Sequence, residues 1–142
     1  MEVGFAYAVG AAVTWGLVYA IDQKILSGVA PMTLLFIDSI IAAVIMLPFV
    51  FFSNGSIKDV LVSGKTSLPL IVLSIALATL ANFLIFSSIK NLNASTASVI
   101  EISYPFFVIL FSYILFRSVP NFYFFIGGAF VFIGSFIIIK FA

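Results

Sequence analysis

The chain contains no cysteine and no histidine, and only 8% of its 142 residues are charged. Without cysteine there is no disulfide frame, no thiolate nucleophile and no zinc–thiolate site. Without histidine the commonest metal ligand and the usual near-neutral base are also missing. No HExxH pattern is present, and no nucleophile–base pair beyond generic serines near glutamate. Catalytic residues, metal ligands and cofactors are therefore not expected. A net charge of +1 with no basic run offers nothing to nucleic acid. An ordinary soluble domain carries about 25% charged residues, so that class is excluded. The start, Met1-Glu2, has no positive n-region, and a cleaved signal peptide is not expected.

What the chain has instead is apolar length: 64% of its residues are hydrophobic. A membrane span needs about 20 mostly apolar residues. Five stretches qualify, at about 3–26, 31–52, 68–90, 94–116 and 121–141. The predicted fold is an all-α integral membrane protein, one five-helix transmembrane domain over 1–142 with no room for a soluble domain. Three of the four connections are very short, which forces neighbouring helices to lie antiparallel and adjacent. The connection 53–67 is longer and polar, and its Ile57, Val60 and Leu61 suggest one interfacial turn. Pro31 suits a first helical turn, Asn93 or Ser95 suits the cap of the fourth helix, and Pro120 leads into the fifth. Asn54-Gly55-Ser56 and Asn93-Ala94-Ser95 match the glycosylation sequon and are read as chance. No internal repeat is visible.

The Lys and Arg residues divide evenly across the membrane. Following the chain across and back, one side receives Lys24, Lys90 and Lys140, and the other Lys58, Lys65 and Arg117. Membrane proteins take their orientation from a Lys/Arg excess in the cytoplasmic loops, and this chain has almost none. It is expected to insert both ways up and to pair with an inverted copy of itself, as half of an inverted-repeat transporter.

Polar residues inside the spans are the candidate site. An ionisable residue there is costly, by about 2.5 to 3.5 kcal/mol on insertion scales, and by default suggests function. Asp38 in the second span and Glu101 in the fourth lie well inside, while Asp22 and Lys90 sit near helix ends and are expected to snorkel to water. Asp38 and Glu101 are each seven positions in from the Lys24 side, or roughly 10 Å at 1.5 Å per residue. Asn82 and Trp15 fall at similar depth, so four helices contribute to one layer about 5 Å from the midplane of a 30 Å core. Two inverted copies would bring their layers together around one cavity.

Helix faces agree. Ala94, Ala97, Ser98, Glu101, Pro105 and Ser112 form a small or polar stripe at three- and four-residue steps. Ser74, Ala78 and Asn82 do the same in the third span, and Ala8, Ala12, Trp15, Tyr19 and Asp22 in the first. Pro105 deprives the preceding turn of one donor close to Glu101, and such breaks line cavities in transporters. Plainer readings stand beside these. Asn82 also serves as interhelical glue, Trp15 as packing, and Asp38 as a protonated structural group bonded to Asn82 or a tyrosine. Gly127, Gly128 and Gly134 read as a packing surface, within the protomer or across a dimer.

Two carboxyls and no deep basic residue favour a cation or a proton over an anionic substrate. Burial favours a carboxyl's neutral form and a bound cation its charged form, so proton and cation would compete for Glu101 or Asp38.

In its order of motifs the chain resembles one EamA-type repeat of the drug/metabolite transporter superfamily. The resemblance rests on Trp15-Gly16 in the first span, the segment from Ser88 to Ser98 at the third–fourth junction, Tyr104-Pro105-Phe106, and Gly127/Gly128 with Gly134. Most members fuse two inverted five-helix repeats, and the resemblance implies that a single repeat must dimerise. Two positions depart: Asp38 stands where the family often has Arg, and Phe116-Arg117 where it often has Gly-Glu. The family moves drugs, amino acids, nucleotide sugars and other metabolites, so fold analogy alone selects no substrate.

The resulting expectation is a multi-pass inner-membrane protein that moves a small cationic or zwitterionic metabolite or drug by alternating access, as an antiparallel homodimer. Glu101 and Asp38 would bind substrate or coupling proton, Trp15, Tyr19 and Asn82 would line the cavity, and Tyr104 and Pro105 would allow bending. A heterodimeric half-transporter and a non-transporting membrane subunit are the alternatives.

Overall fold

The structure, a computed structural model, describes residues 2–52, 64–118 and 121–141. The expected interfacial turn at Ile57, Val60 and Leu61, the Asn54 sequon, Lys58, the side chain of Lys65, and Pro120 lie outside the described residues. Among these residues six helices follow in chain order: α1 (Glu2–Leu26), α2 (Pro31–Phe52), α3 (Gly64–Asn91), α4 (Ala94–Glu101), α5 (Tyr104–Phe116) and α6 (Phe122–Phe141). They make up five stretches long and apolar enough to cross a membrane, Val3–Leu26, Pro31–Phe52, Leu68–Asn91, Ala94–Phe116 and Phe122–Phe141, with no strand among the described residues.

The helix limits have local causes. Pro31 opens α2, where its missing N–H removes nothing. Asn93 caps α4, its Oδ1 accepting from the Thr96 N–H at 2.7 Å. Asn121 plays the same part for α6, accepting from the Tyr123 N–H at 3.2 Å. The helix α3 begins at Gly64, four residues before its apolar run, because polar residues such as Lys65 and Thr66 end a membrane span but not a helix. At its far end α5 stops at Arg117, which adopts the left-handed conformation with φ 54° while its N–H bonds the Tyr113 carbonyl at 3.0 Å.

The fourth span is two helices rather than one. Pro105 has no N–H for the Glu101 carbonyl, and the chain turns at Ile102 and Ser103 before Pro105 starts α5 as a good first-turn residue. The Ser103 hydroxyl and N–H both bond the Ile100 carbonyl, at 2.8 and 3.2 Å, and close the turn.

Helix α3 packs against α1, α2 and α4, while α4 also packs against α1 and α6. Their buried core sits at one end of the bundle, where Leu26, Leu34, Leu35, Phe86, Ile89, Ala94 and Ala97 meet. Two polar ties close the same end. Lys90 Nζ donates to the Val29 carbonyl at 2.8 Å, joining α3 to the α1–α2 turn. The Ala94 N–H donates to Gln23 Oε1 at 2.7 Å, joining α4 to α1. Past the break, α5 touches α6 through Phe106, which lies on Gly128 and edge-on to Phe132 at 6.0 Å between ring centres. The bulky residues on the outer faces are exposed, as a lipid-facing surface requires.

Candidate functional site

The polar layer divides into two linked groups. The first surrounds a cavity of about 360 Å³ between α1, α2 and α3. Asp38 and Asn82 face it from α2 and α3, Trp15 from α1, and the buried Phe86 lines it from α3. The hydroxyl residues Thr14 and Ser39 also line it, but each is back-bonded to its own helix, Thr14 to the Gly10 carbonyl at 2.8 Å and Ser39 to that of Leu35 at 2.7 Å. Among the described residues Asp38 is thus the lining group that carries charge, and no basic side chain among them lines the cavity. Its volume lies near the lower end of the 300–1,000 Å³ range of small-ligand pockets.

The second group is a hydrogen bond. The Tyr19 hydroxyl of α1 donates to Glu101 Oε2 of α4 at 2.5 Å, across 82 positions of sequence. That separation falls in the range of hydroxyl-to-carboxylate bonds. It fastens the last residue of α4, just before the break, to α1. Neither Tyr19 nor Glu101 lines the cavity, but the Trp15 and Tyr19 rings are 5.6 Å apart on successive turns of α1 and connect the two groups. Tyr104 is 61% exposed at the start of α5, and Pro105 follows it at the break.

Asp22 is placed differently from its expected snorkelling position. It is 6% exposed, and its Oδ2 is buried with no hydrogen-bond partner among the described residues. The physical reason is cover: α3 and α4 both pack on α1 here, and the Gln23–Ala94 bond holds α4 down at the next residue. Lys90, by contrast, is exposed and reaches the helix end, as its long side chain allows. A second, smaller cavity of about 130 Å³ lies at the break, between Val99, Ile100 and Ser103 and the α6 residues Phe132, Ser135 and Phe136.

The three glycines of α6 differ. A side chain at Gly128 would meet the Phe106 ring at 3.0 Å, so Gly128 is where α5 comes close. Gly127 and Gly134 have nothing within 4 Å.

The model of the EamA-like transporter family matches residues 2–140. The chain belongs to that family. It is a membrane transporter of the drug/metabolite transporter superfamily and an integral, multi-pass membrane protein. No curated protein and no solved structure matches it.

Within this EamA-like chain the sequence reading overlooked Thr14 and Ser39, and it misplaced Asp22. The signal for Ser39 was present: Leu35, Asp38, Ser39 and Ala42 repeat at three- and four-residue steps, the spacing already used on the other helices. Among the described residues no cluster of carboxylates is arranged to hold a metal ion.

Proposed function

We propose that this EamA-like transporter carries a small cationic or zwitterionic metabolite or drug in the cavity between α1, α2 and α3. The observation that supports this reading most is the pairing of the Asp38 carboxyl with the open face of Trp15 around one cavity, with Asn82 as a neutral hydrogen-bonding group. A carboxylate and an aromatic face together suit a cation, the ring supplying about 0.5–2 kcal/mol in such contacts. An anion would meet Asp38 without any basic side chain to offset it.

The transporter acts as an antiparallel homodimer working by alternating access. The Lys/Arg balance supports this arrangement: Lys24, Lys90 and Lys140 end the outward-running helices on one side, and Arg117 ends α5 on the other together with Lys58 and Lys65 in sequence. The break between α4 and α5 supplies a joint at which one part of the fourth span moves while Tyr19 holds the other through Glu101. Proton exchange for the substrate belongs to the same reading, with an intramembrane carboxyl as the group that carries the proton.

The test uses the chain's one tryptophan. Trp15 lines the cavity, so its fluorescence reports occupancy directly. Purified protein in lipid vesicles is titrated with a panel of small cations, zwitterions and anions. Cations or zwitterions are expected to change Trp15 emission saturably, with the response lost in Asp38→Asn. Saturable binding of anions alone would overturn the proposal.

A further inference from the structure

We infer that Asp22, rather than the cavity carboxyl, binds the coupling proton, and that Asp22 and Asp38 divide proton and substrate between them. This rests on the proposed cation cavity for its second half only.

The reasoning begins with burial. Asp22 is 6% exposed and its Oδ2 has no hydrogen-bond donor among the described residues. A buried carboxylate is tolerated only when it is paired or well hydrogen-bonded. Among the described residues the charged groups around it offer no such partner. On its own helix, Lys24 is exposed, and Tyr19, one turn back, gives its hydroxyl to Glu101. Lys90 of α3 gives an N–H to the Val29 carbonyl. Glu101 of α4 and Asp38 of α2 are themselves acids. The ligand that completes Asp22 is therefore one that neutralises it and needs no space, which a proton does and a hydrated cation does not. Asp38, in contrast, is exposed to the open cavity, where a substrate reaches it.

Val18 lines the cavity together with Asp38 and lies one turn before Asp22 on α1, so the two acids stand on adjoining turns of the same wall and act on one another through space. A proton arriving at Asp22 removes negative charge beside Asp38 and weakens the hold on a cation there. By reciprocity the cation eases the proton off Asp22. Each ligand expels the other without sharing an oxygen, and that is the requirement for exchange. The α1 helix carries the linkage, since Trp15, Tyr19 and Asp22 lie on one of its faces.

The experiment has two arms on the full chain in lipid vesicles. In the first, infrared spectroscopy at neutral pH looks for the carbonyl stretch of a protonated carboxyl, with no ligand present. The wild type, Asp38→Asn and Glu101→Gln are expected to keep the band, and Asp22→Asn to lose it. Absence of the band from the wild type overturns the proposal, whether or not any variant folds, and so does its survival in Asp22→Asn. In the second, tetramethylammonium, whose own charge is fixed, is titrated by Trp15 fluorescence between acid and alkaline pH. The wild type is expected to lose about fivefold or more in affinity on acidification, at the lower end of ordinary coupling between sites. Asp22→Asn is expected to bind tetramethylammonium with most of that pH dependence removed, and an unchanged dependence overturns the linkage. If tetramethylammonium and the other cations fail to bind at all, the cation reading of the cavity falls, while the infrared arm still decides Asp22.

Discussion

Breaking the Tyr19–Glu101 bond gives the sharpest test of how the fourth span is held. The hydroxyl and Glu101 Oε2 are 2.5 Å apart, both residues are half-buried, and the bond joins α1 to α4 at the last residue before the chain turns. Interhelical hydrogen bonds in membrane proteins average about 0.6 kcal/mol and reach about 1.7. Bonds to charged groups in general are worth about 1.5–3 kcal/mol. A short hydroxyl-to-carboxylate geometry puts this bond at the top of the first range, so a coupling of about 1.5 kcal/mol is expected. The perturbation is a double-mutant cycle of Tyr19→Phe and Glu101→Met, which remove the two partners with little change in length. Unfolding free energies are measured in mixed lipid–detergent micelles by circular dichroism. An asymmetry is also expected. Tyr19→Phe leaves an acceptor without its donor and should cost about 1–3 kcal/mol, whereas Glu101→Met leaves a half-buried hydroxyl and should cost less. A coupling below about 0.3 kcal/mol would show that the two side chains act independently and would refute the reasoning.

Three further outcomes follow from particular contacts. Gly128→Ala places a methyl at 3.0 Å from the Phe106 ring, whereas Gly127→Ala meets nothing within 4 Å. Overpacking costs about 1–3 kcal/mol and the helical gain of alanine over glycine is up to about 1 kcal/mol, so in monomeric micelles Gly128→Ala should be the less stable of the pair by at least about 1 kcal/mol, and equal melting would count against the packing. Pro105→Ala restores an N–H for the Glu101 carbonyl; hydrogen exchange at Ile102 and Ser103 should slow as the joint becomes helical, and exchange that stays fast would mean the turn has another cause. Single cysteines at Gly55 and, separately, Ala142, in a chain with no native cysteine, should each label in about half the molecules with a membrane-impermeant maleimide, and full labelling at one site with none at the other would remove the inverted pair.

The parts of the fold that were legible in the sequence are those set by local chemistry. Apolar length marks a span whatever it packs against, Asn93 announces its cap by side-chain type, and Pro105 announces a lost donor. The all-helical class with five apolar, membrane-length stretches follows from the first of these. The rest depends on which neighbour covers which face. Asp22 and Asp38 lie in comparable stripes, yet one is enclosed by α3 and α4 while the other opens to a cavity. In a span that is apolar on its lipid side as well as its inner side, the helical period does not separate the two, so burial was not readable. The start of α3 at Gly64 was hidden for a related reason, since polarity reports the edge of the bilayer and not the end of the hydrogen-bond ladder.

The corner at Arg117 carries a consequence of its own. A left-handed backbone costs a residue with a side chain about 1–2 kcal/mol, and glycine is the usual occupant. Here an arginine takes it at φ 54°, with its guanidinium 5.7 Å from the Tyr113 ring. Glycine at this point would relax the corner, and it would also leave two positive side chains facing three across the membrane. Ease of making the turn and evenness of charge therefore pull this single position in opposite directions. On the proposed insertion both ways up, substitutions that ease folding at this corner are the same ones that would bias which way the chain lies.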